Sequence, residues 1–397
     1  MSLEKNLTVE LGDSSHLTAF GERLVAQVSP QAAWRFDYGT IPNSRLYNVV
    51  TANGGTATID QSRLLLQTGT NVAGSAQLQS KNRLRYIPGV GGLIRFTAAF
   101  SSPKANSQQL IGLGDTQDGF FFGYINTNFG IVRRRDGVDN FENFFDWVQN
   151  RLEINPLLGN IYQIRYQWLG YGFISFYIEH PSDIRAGFVP VHIIQYPNTS
   201  VLTNILNPTL PLFAEIKNTG NSTNLTLISP SALASIEGLS NPGFNPLDVF
   251  NSFDRSASFS DANNNHLITI RNKTTFGGAA NRVPIEITDM SIGRSQTGSP
   301  LTRIRLHRNA TTAIALTYSD IDTNNSPVEA SITTTTLTSS TPERQYVLTD
   351  TGTTQPHIPF SPGSLILQPG ESLTVEVQNS LVQVVEVAAT LNWKEMF

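Results

Sequence analysis

The chain has 397 residues, with 27 Lys+Arg against 31 Asp+Glu for a formal net charge of -4, 15% charged and 39% hydrophobic residues, and no cysteine. The weak acidity argues against a protein that coats duplex nucleic acid, because phosphate binding needs a basic surface. The missing thiols exclude disulfides, thiolate metal centres and cysteine nucleophiles together.

In place of charge the chain uses Asn, Ser, Thr, Gln and Gly, the composition of a β-rich, hydrogen-bonding surface. Met1 to Gly12 shows no basic segment followed by an apolar one, so no signal peptide is expected. No apolar run of about 18 residues occurs, so no membrane insertion is expected either.

Helical periodicity is scarce, and Pro103 to Leu110 and Asp139 to Arg151 are the two stretches where a helix stays open. Period-2 alternation dominates. The first 18 residues precede the core signal and read as an N-terminal arm for anchoring or assembly. Gly92 to Phe100 reads as a strand, and Gly119 to Tyr124 with Phe129 to Arg135 reads as a hairpin turning at Asn126-Thr127-Asn128. Within Arg133-Arg134-Arg135, strand geometry puts Arg134 on the face opposite its two neighbours. Ile161 to Gln167 and Phe173 to Glu179 predict a second hairpin, and Leu212 to Lys217 and Asn224 to Ile228 two further strands. A Pro- and Gly-bearing stretch without periodicity follows, which places a linker at 239–250 between a domain at 19–238 and one at 251–397. Beyond it strands recur about every dozen residues, as in a β-sandwich. Gln368-Pro369-Gly370-Glu371 carries the chemistry of a type II turn.

No motif for chemistry stands out. There is no Gly-x-Ser-x-Gly elbow and no phosphate loop. Asp320, Asp322 and Asn324 copy the first half of a calcium loop, as do Asp261, Asn263 and Asn265. The sixth and twelfth positions of the former are Asn325 and Ser331, where Gly and Glu are needed. No catalytic residue, cofactor or metal ligand is therefore assigned. Aromatic rings stack on the apolar C–H face of a sugar, and Trp147, Trp168 and Tyr171 are the glycan-binding candidates. The rival role for each is filling the core. Glycoside hydrolysis needs two facing carboxylates, for which Glu142 and Asp146 are the candidate acid and base.

The stretches Gly119 to Arg135, Gly159 to Glu179 and Val191 to Gly220 resemble a recurrent module of virion structural proteins of tailed phages and large DNA viruses. The end of the chain, Leu367 to Thr374 followed by Ala388 to Glu395, is similar to the C-terminal β-domain of such proteins. The resemblance implies an all-β chain of two β-sandwich domains, the first a concanavalin-like jelly roll. It implies no enzymatic activity. It further implies a structural role in the virion, as fibre, spike, capsid decoration or tail component, with other virion proteins as partners and a homo-oligomer, by analogy a trimer. The alternative is a carbohydrate-binding adhesin that holds host glycans, and a third reading is a glycan depolymerase.

Overall fold

The computed structural model describes residues 28–38, 44–147, 152–183, 185–196, 199–238, 247–294, 301–339, 341–348, 357–382 and 384–397. The arm expected at 1–18 lies outside the described residues. The chain divides into two compact units, Met1–Ser240 and Asn241–Phe397.

Unit 1 contains β1 (Val28–Arg35), β2 (Tyr47–Ala52), β3 (Thr56–Asp60), β4 (Arg63–Gln67), β5 (Ser75–Leu84), β6 (Gly92–Phe100), β7 (Ser107–Gly114) and β8 (Gly119–Ile125). It continues with β9 (Asn128–Arg135), β10 (Val138–Asn143), β11 (Asn160–Tyr166), β12 (Ile174–Glu179), β13 (Phe188–Ile194), β14 (Leu210–Asn218), β15 (Thr226–Ser229) and β16 (Ser231–Glu237). One antiparallel sheet runs β10-β9-β8-β7-β14-β5-β2. The other runs β13-β12-β11-β6. There β6 hands on to β16, which pairs β1, and to β15, which leads through β4 to β3.

Alternation fixes which side chains meet between the sheets. Phe120, Phe122 and Tyr124 of β8 and Leu212, Ala214 and Ile216 of β14 point into the shared core. Phe121 and Phe213 take the opposite face, where they form a separate buried cluster with Leu110 and Val132. From the other sheet come Phe96, Tyr162, Ile164 and Phe176. Phe122 is fully buried at the centre, its ring 4.8 Å from Tyr162 and 5.5 Å from Phe176. Gly112 on β7 lies opposite Phe121, and a Cβ there would stand 2.2 Å from the Phe120 carbonyl oxygen. Only glycine lets these two strands approach so closely.

The β8–β9 hairpin turns on Asn126 and Thr127, with Asn126 at φ 55, a left-handed conformation that asparagine tolerates. Pro103 to Leu110 is no helix: Ser107 onward joins β7 between β8 and β14. In the second open stretch, 138–143 pairs as β10 and, among the described residues, only Phe144–Asp146 coils, as one 3-10 turn.

Unit 2 is a second two-sheet arrangement. Its first sheet orders Asp248–Phe259, Val385–Met396, Ile285–Arg294 and His357–Pro359, with Ile366–Leu367 attached to the third. Its second orders Ser319–Asp320, Val328–Ser331, Asn265–Asn272, Ser372–Asn379, Thr302–Arg308 and Arg344–Leu348. The Asp248–Phe259 strand begins inside the stretch read from sequence as linker. Ile268, Ile287, Ile304, Val375, Leu391 and Trp393 are among the residues filling the core. The Gln368–Glu371 turn closes as its chemistry requires, with Gly370 at φ 88 and the Glu371 amide donating to the Gln368 carbonyl at 2.9 Å. The chain is thus all-β, built of β-sandwich units whose antiparallel sheets enclose buried cores.

Candidate functional site

At the β8–β9 turn end of unit 1, the chain leaves β10 through the Phe144–Asp146 turn. Asn143 caps this turn, its Oδ1 accepting from the Phe145 amide at 3.0 Å. Three aromatics in and just after this turn point in different directions. Phe144 packs against the core, Phe145 is 71% exposed, and Trp147 turns inward to 8% exposure. The Trp147 ring lies 4.8 Å from Phe144 and 6.0 Å from Phe122.

The result is a cleft of about 230 Å³ lined by the rings of Tyr124, Phe129, Phe144 and Phe145, with Thr127, Asn128 and Asn143 beside them. Burial pushes the Tyr124 phenol pKa up, so it stays protonated at neutral pH. Aromatic faces with amide and hydroxyl groups alongside match a ligand that is apolar on one face and hydroxylated at its edge.

The other two aromatics expected to stack on glycans lie at the far end of β8. Trp168 packs edge-on to Tyr86 with centroids 5.3 Å apart, and its Nε1 donates to the Ile205 carbonyl at 3.2 Å. Tyr171 is 42% exposed and its hydroxyl donates to the Val201 carbonyl at 3.0 Å. That loop meets the start of β8, where the Leu206 amide donates to Asp118 Oδ1 at 2.9 Å. A seven-residue strand spans roughly 20 Å, so Trp147 and the pair Trp168 and Tyr171 are not brought together. Of the candidate acid and base, Glu142 is half-buried on β10 and Asp146 is exposed on the following turn.

Two carboxylates that sequence reading passed over do converge. Arg134 projects from the outer face of its sheet, opposite to Arg133, whose Nη1 donates to the Asn204 carbonyl at 3.0 Å. Arg134 is 4% exposed and donates to Asp139 through Nε at 2.7 Å and Nη2 at 3.1 Å. The same Nη2 reaches Glu215 Oε2 at 3.4 Å, so two carboxyl groups flank one nitrogen. Its guanidinium also lies 5.2 Å over Phe121 and 5.9 Å over Phe213. Burial pushes the Asp139 carboxyl up, but the hydrogen bonds and charge of Arg134 outweigh it and hold it below the usual carboxylate range. Asp139 therefore has no proton to donate near neutral pH.

The half-motifs for calcium resolve as turns. Asp261 Oδ1 accepts from the Asn263 amide at 3.0 Å and from Asn265 Nδ2 at 2.7 Å. Asp322 Oδ1 accepts from the Asn324 and Asn325 amides, each at 3.0 Å. Both carboxylates are engaged by their own loops. Among the described residues no three His, Asp or Glu side chains are grouped for a metal ion.

No known family's profile and no curated protein matches the chain. Solved structures do. A glycosyl hydrolase family protein from Mycobacterium fortuitum is 14% identical and covers 52% of this chain and 100% of its own, with a TM-score of 0.37. A beta-1,3-glucanase from Mycobacterium marinum is 13% identical over 52% of this chain and 100% of its own, TM-score 0.34. The lectin UEA-II in complex with galactose is 11% identical over 53% of this chain and 100% of its own, TM-score 0.34. At these values the likeness assigns no activity to this chain. It does correct one expectation. Absence of enzymatic activity followed only from the resemblance to particle proteins, and the solved structures found include glycosyl hydrolases and a glucanase, so that inference does not stand.

Proposed function

We propose that this protein binds carbohydrate, as an adhesion protein that holds glycans in the cleft at the β8–β9 turn of unit 1. The observation that carries this reading is the Phe145 ring, 71% exposed beside Asn128, Asn143 and Thr127. A lone exposed phenylalanine is ordinary. One lifted out by a capped turn over a cleft of three further rings is a stacking platform. A pyranose laid on it buries its C–H face, while the amides meet its ring hydroxyls. The sequence resemblance to virion structural proteins supports placing the adhesin on a virus particle, attached to other particle proteins as a homo-oligomer.

A glycan array with the intact chain tests the reading. Saturable binding to a defined set of glycans, lost in Phe145→Ala with an unchanged melting temperature, is the expected result. No saturable binding, or binding that Phe145→Ala leaves intact, refutes it.

A further inference from the structure

Unit 2 contains a second cavity of different chemistry, about 380 Å³ in volume. Its floor is the outer face of the second sheet. Alternation along Thr302–Arg308 and Ser372–Asn379 sends Ile304, Leu306, Val375 and Val377 to the core. Arg305, His307 and Glu376 point the other way. That face would be open to water, yet Glu376 is 1% and His307 2% exposed.

The covering segment contains the four threonines 333–336. The His266 amide donates to the Thr335 carbonyl at 2.9 Å, the Leu337 amide to the Asn264 carbonyl at 2.8 Å, and the Ala313 amide to the Thr336 carbonyl at 2.9 Å. Below it, His266 Nδ1 faces the Thr333 carbonyl at 2.6 Å and its Nε2 faces Thr269 Oγ1 at 2.8 Å. A carbonyl only accepts, so Nδ1 carries the proton and Thr269 donates to Nε2. The segment is pinned at several points, and the space between it and the sheet is built into the fold.

We propose that this cavity is a binding site for a neutral polyhydroxyl ligand, a saccharide unit. Charge narrows the class first. Arg305 Nη1 donates to Glu376 Oε1 at 2.5 Å, and His307 Nε2 lies 2.8 Å from Glu376 Oε2. One guanidinium balances one carboxylate, so an anion meets Glu376 and a cation meets Arg305. An apolar ligand would strip water from both without replacing its hydrogen bonds, which is unfavourable for each group left unmet. Hydroxyl groups suit both partners. Each Glu376 oxygen keeps a second lone pair, and Asn264 and Gln345 at the rim offer donors and acceptors. Leu337 supplies an apolar wall. The volume lies at the small end of the roughly 300–1,000 Å³ range of small-molecule pockets, suited to one or two sugar rings. The site lies in the other unit from the Phe145 cleft and stands whether or not that cleft binds.

Calorimetric titration of the intact chain with the methyl glycosides of glucose, galactose, mannose and N-acetylglucosamine tests the proposal, with N-acetylneuraminic acid as the anionic comparison. Asn264→Ala and Gln345→Ala alter the rim, and Phe145→Ala removes the other cleft. The expected result is saturable binding of at least one neutral glycoside that persists in Phe145→Ala. It weakens by about tenfold in Asn264→Ala, the loss of one hydrogen bond, while the melting temperature holds. No titration with any neutral glycoside, tighter binding of the acidic sugar, complete loss in Phe145→Ala, or unchanged affinity in both rim variants overturns it. Because Phe145→Ala is read separately, failure here and failure of the unit 1 cleft are distinguishable.

Discussion

Replacing Arg134 by methionine probes the polar hub on the outer face of unit 1. The aliphatic stem stays, so contact with Phe121 and Phe213 is largely kept while the charge goes. Asp139 and Glu215, with side chains 23% and 12% exposed, then face each other without a cation between them. Breaking a buried ion pair by removing one partner costs about 3–5 kcal/mol. Gln108 Nε2 still donates to Asp139 at 2.8 Å and Lys217 Nζ still stands 3.4 Å from Glu215, so the lower end, about 3 kcal/mol, is expected at pH 7. The sign with pH follows from Asp139. Its carboxyl is held below the ordinary range in the folded protein, so its stabilising contribution is present above the unfolded pKa and is lost as pH falls through the folded one. The penalty of Arg134→Met therefore shrinks on acidification through the carboxylate range. Urea titrations at pH 7 and near pH 4, followed by fluorescence, measure it, since Trp34, Trp147 and Trp168 all pack in or against the unit 1 core. A loss under about 1 kcal/mol at pH 7, or a loss of equal size at both pH values, refutes the reasoning.

Three further outcomes are expected. Phe122→Ala empties the centre of the unit 1 core and should cost about 3–5 kcal/mol in the same titration, with unit 2 unfolding unchanged. In unit 2, burial raises the Glu376 carboxyl pKa, but the His307 hydrogen bond and the Arg305 charge outweigh it, so the folded pKa is depressed. Glu376→Gln should thus destabilise at neutral pH by about 1–3 kcal/mol, and the difference from the parent chain should fade as pH drops below the ordinary carboxylate range, read by paired thermal melts. Adding EDTA should leave the melting temperature unchanged, because Asp261 and Asp322 already satisfy their own loop amides; a drop of several degrees would show that one of these loops holds an ion.

The strand pattern was legible because a pleated chain with one buried face must alternate. Gly119 to Tyr124, Phe129 to Arg135 and the turn between them follow from local chemistry, and so does the Gly370 turn. Pairing was not legible. β6 pairs with β11 and β16, which both lie later in the chain, more than sixty residues away, and no local signal names them. The same holds for side-chain constellations. Arg134 and Glu215 are 81 residues apart and lie on β9 and β14, with β8 and β7 between them in the sheet; Arg305 and Glu376 are 71 apart on paired strands; sequence alone aligns neither pair. For the aromatics the limit is finer. Phe144, Phe145 and Trp147 are all large aromatics within four positions, and which ring reaches water depends on the geometry of the turn that Asn143 caps, which residue type alone does not give. Composition points to tryptophan as the stacking residue, whereas the capped turn presents Phe145.

The most direct test is a crystal structure of the intact chain soaked with the glycan that binds most strongly on the array. The account predicts a sugar ring lying flat on Phe145, its hydroxyls within hydrogen-bond distance of Asn128 and Asn143. A bound glycan elsewhere in unit 1, with the Phe145 ring bare, would contradict it.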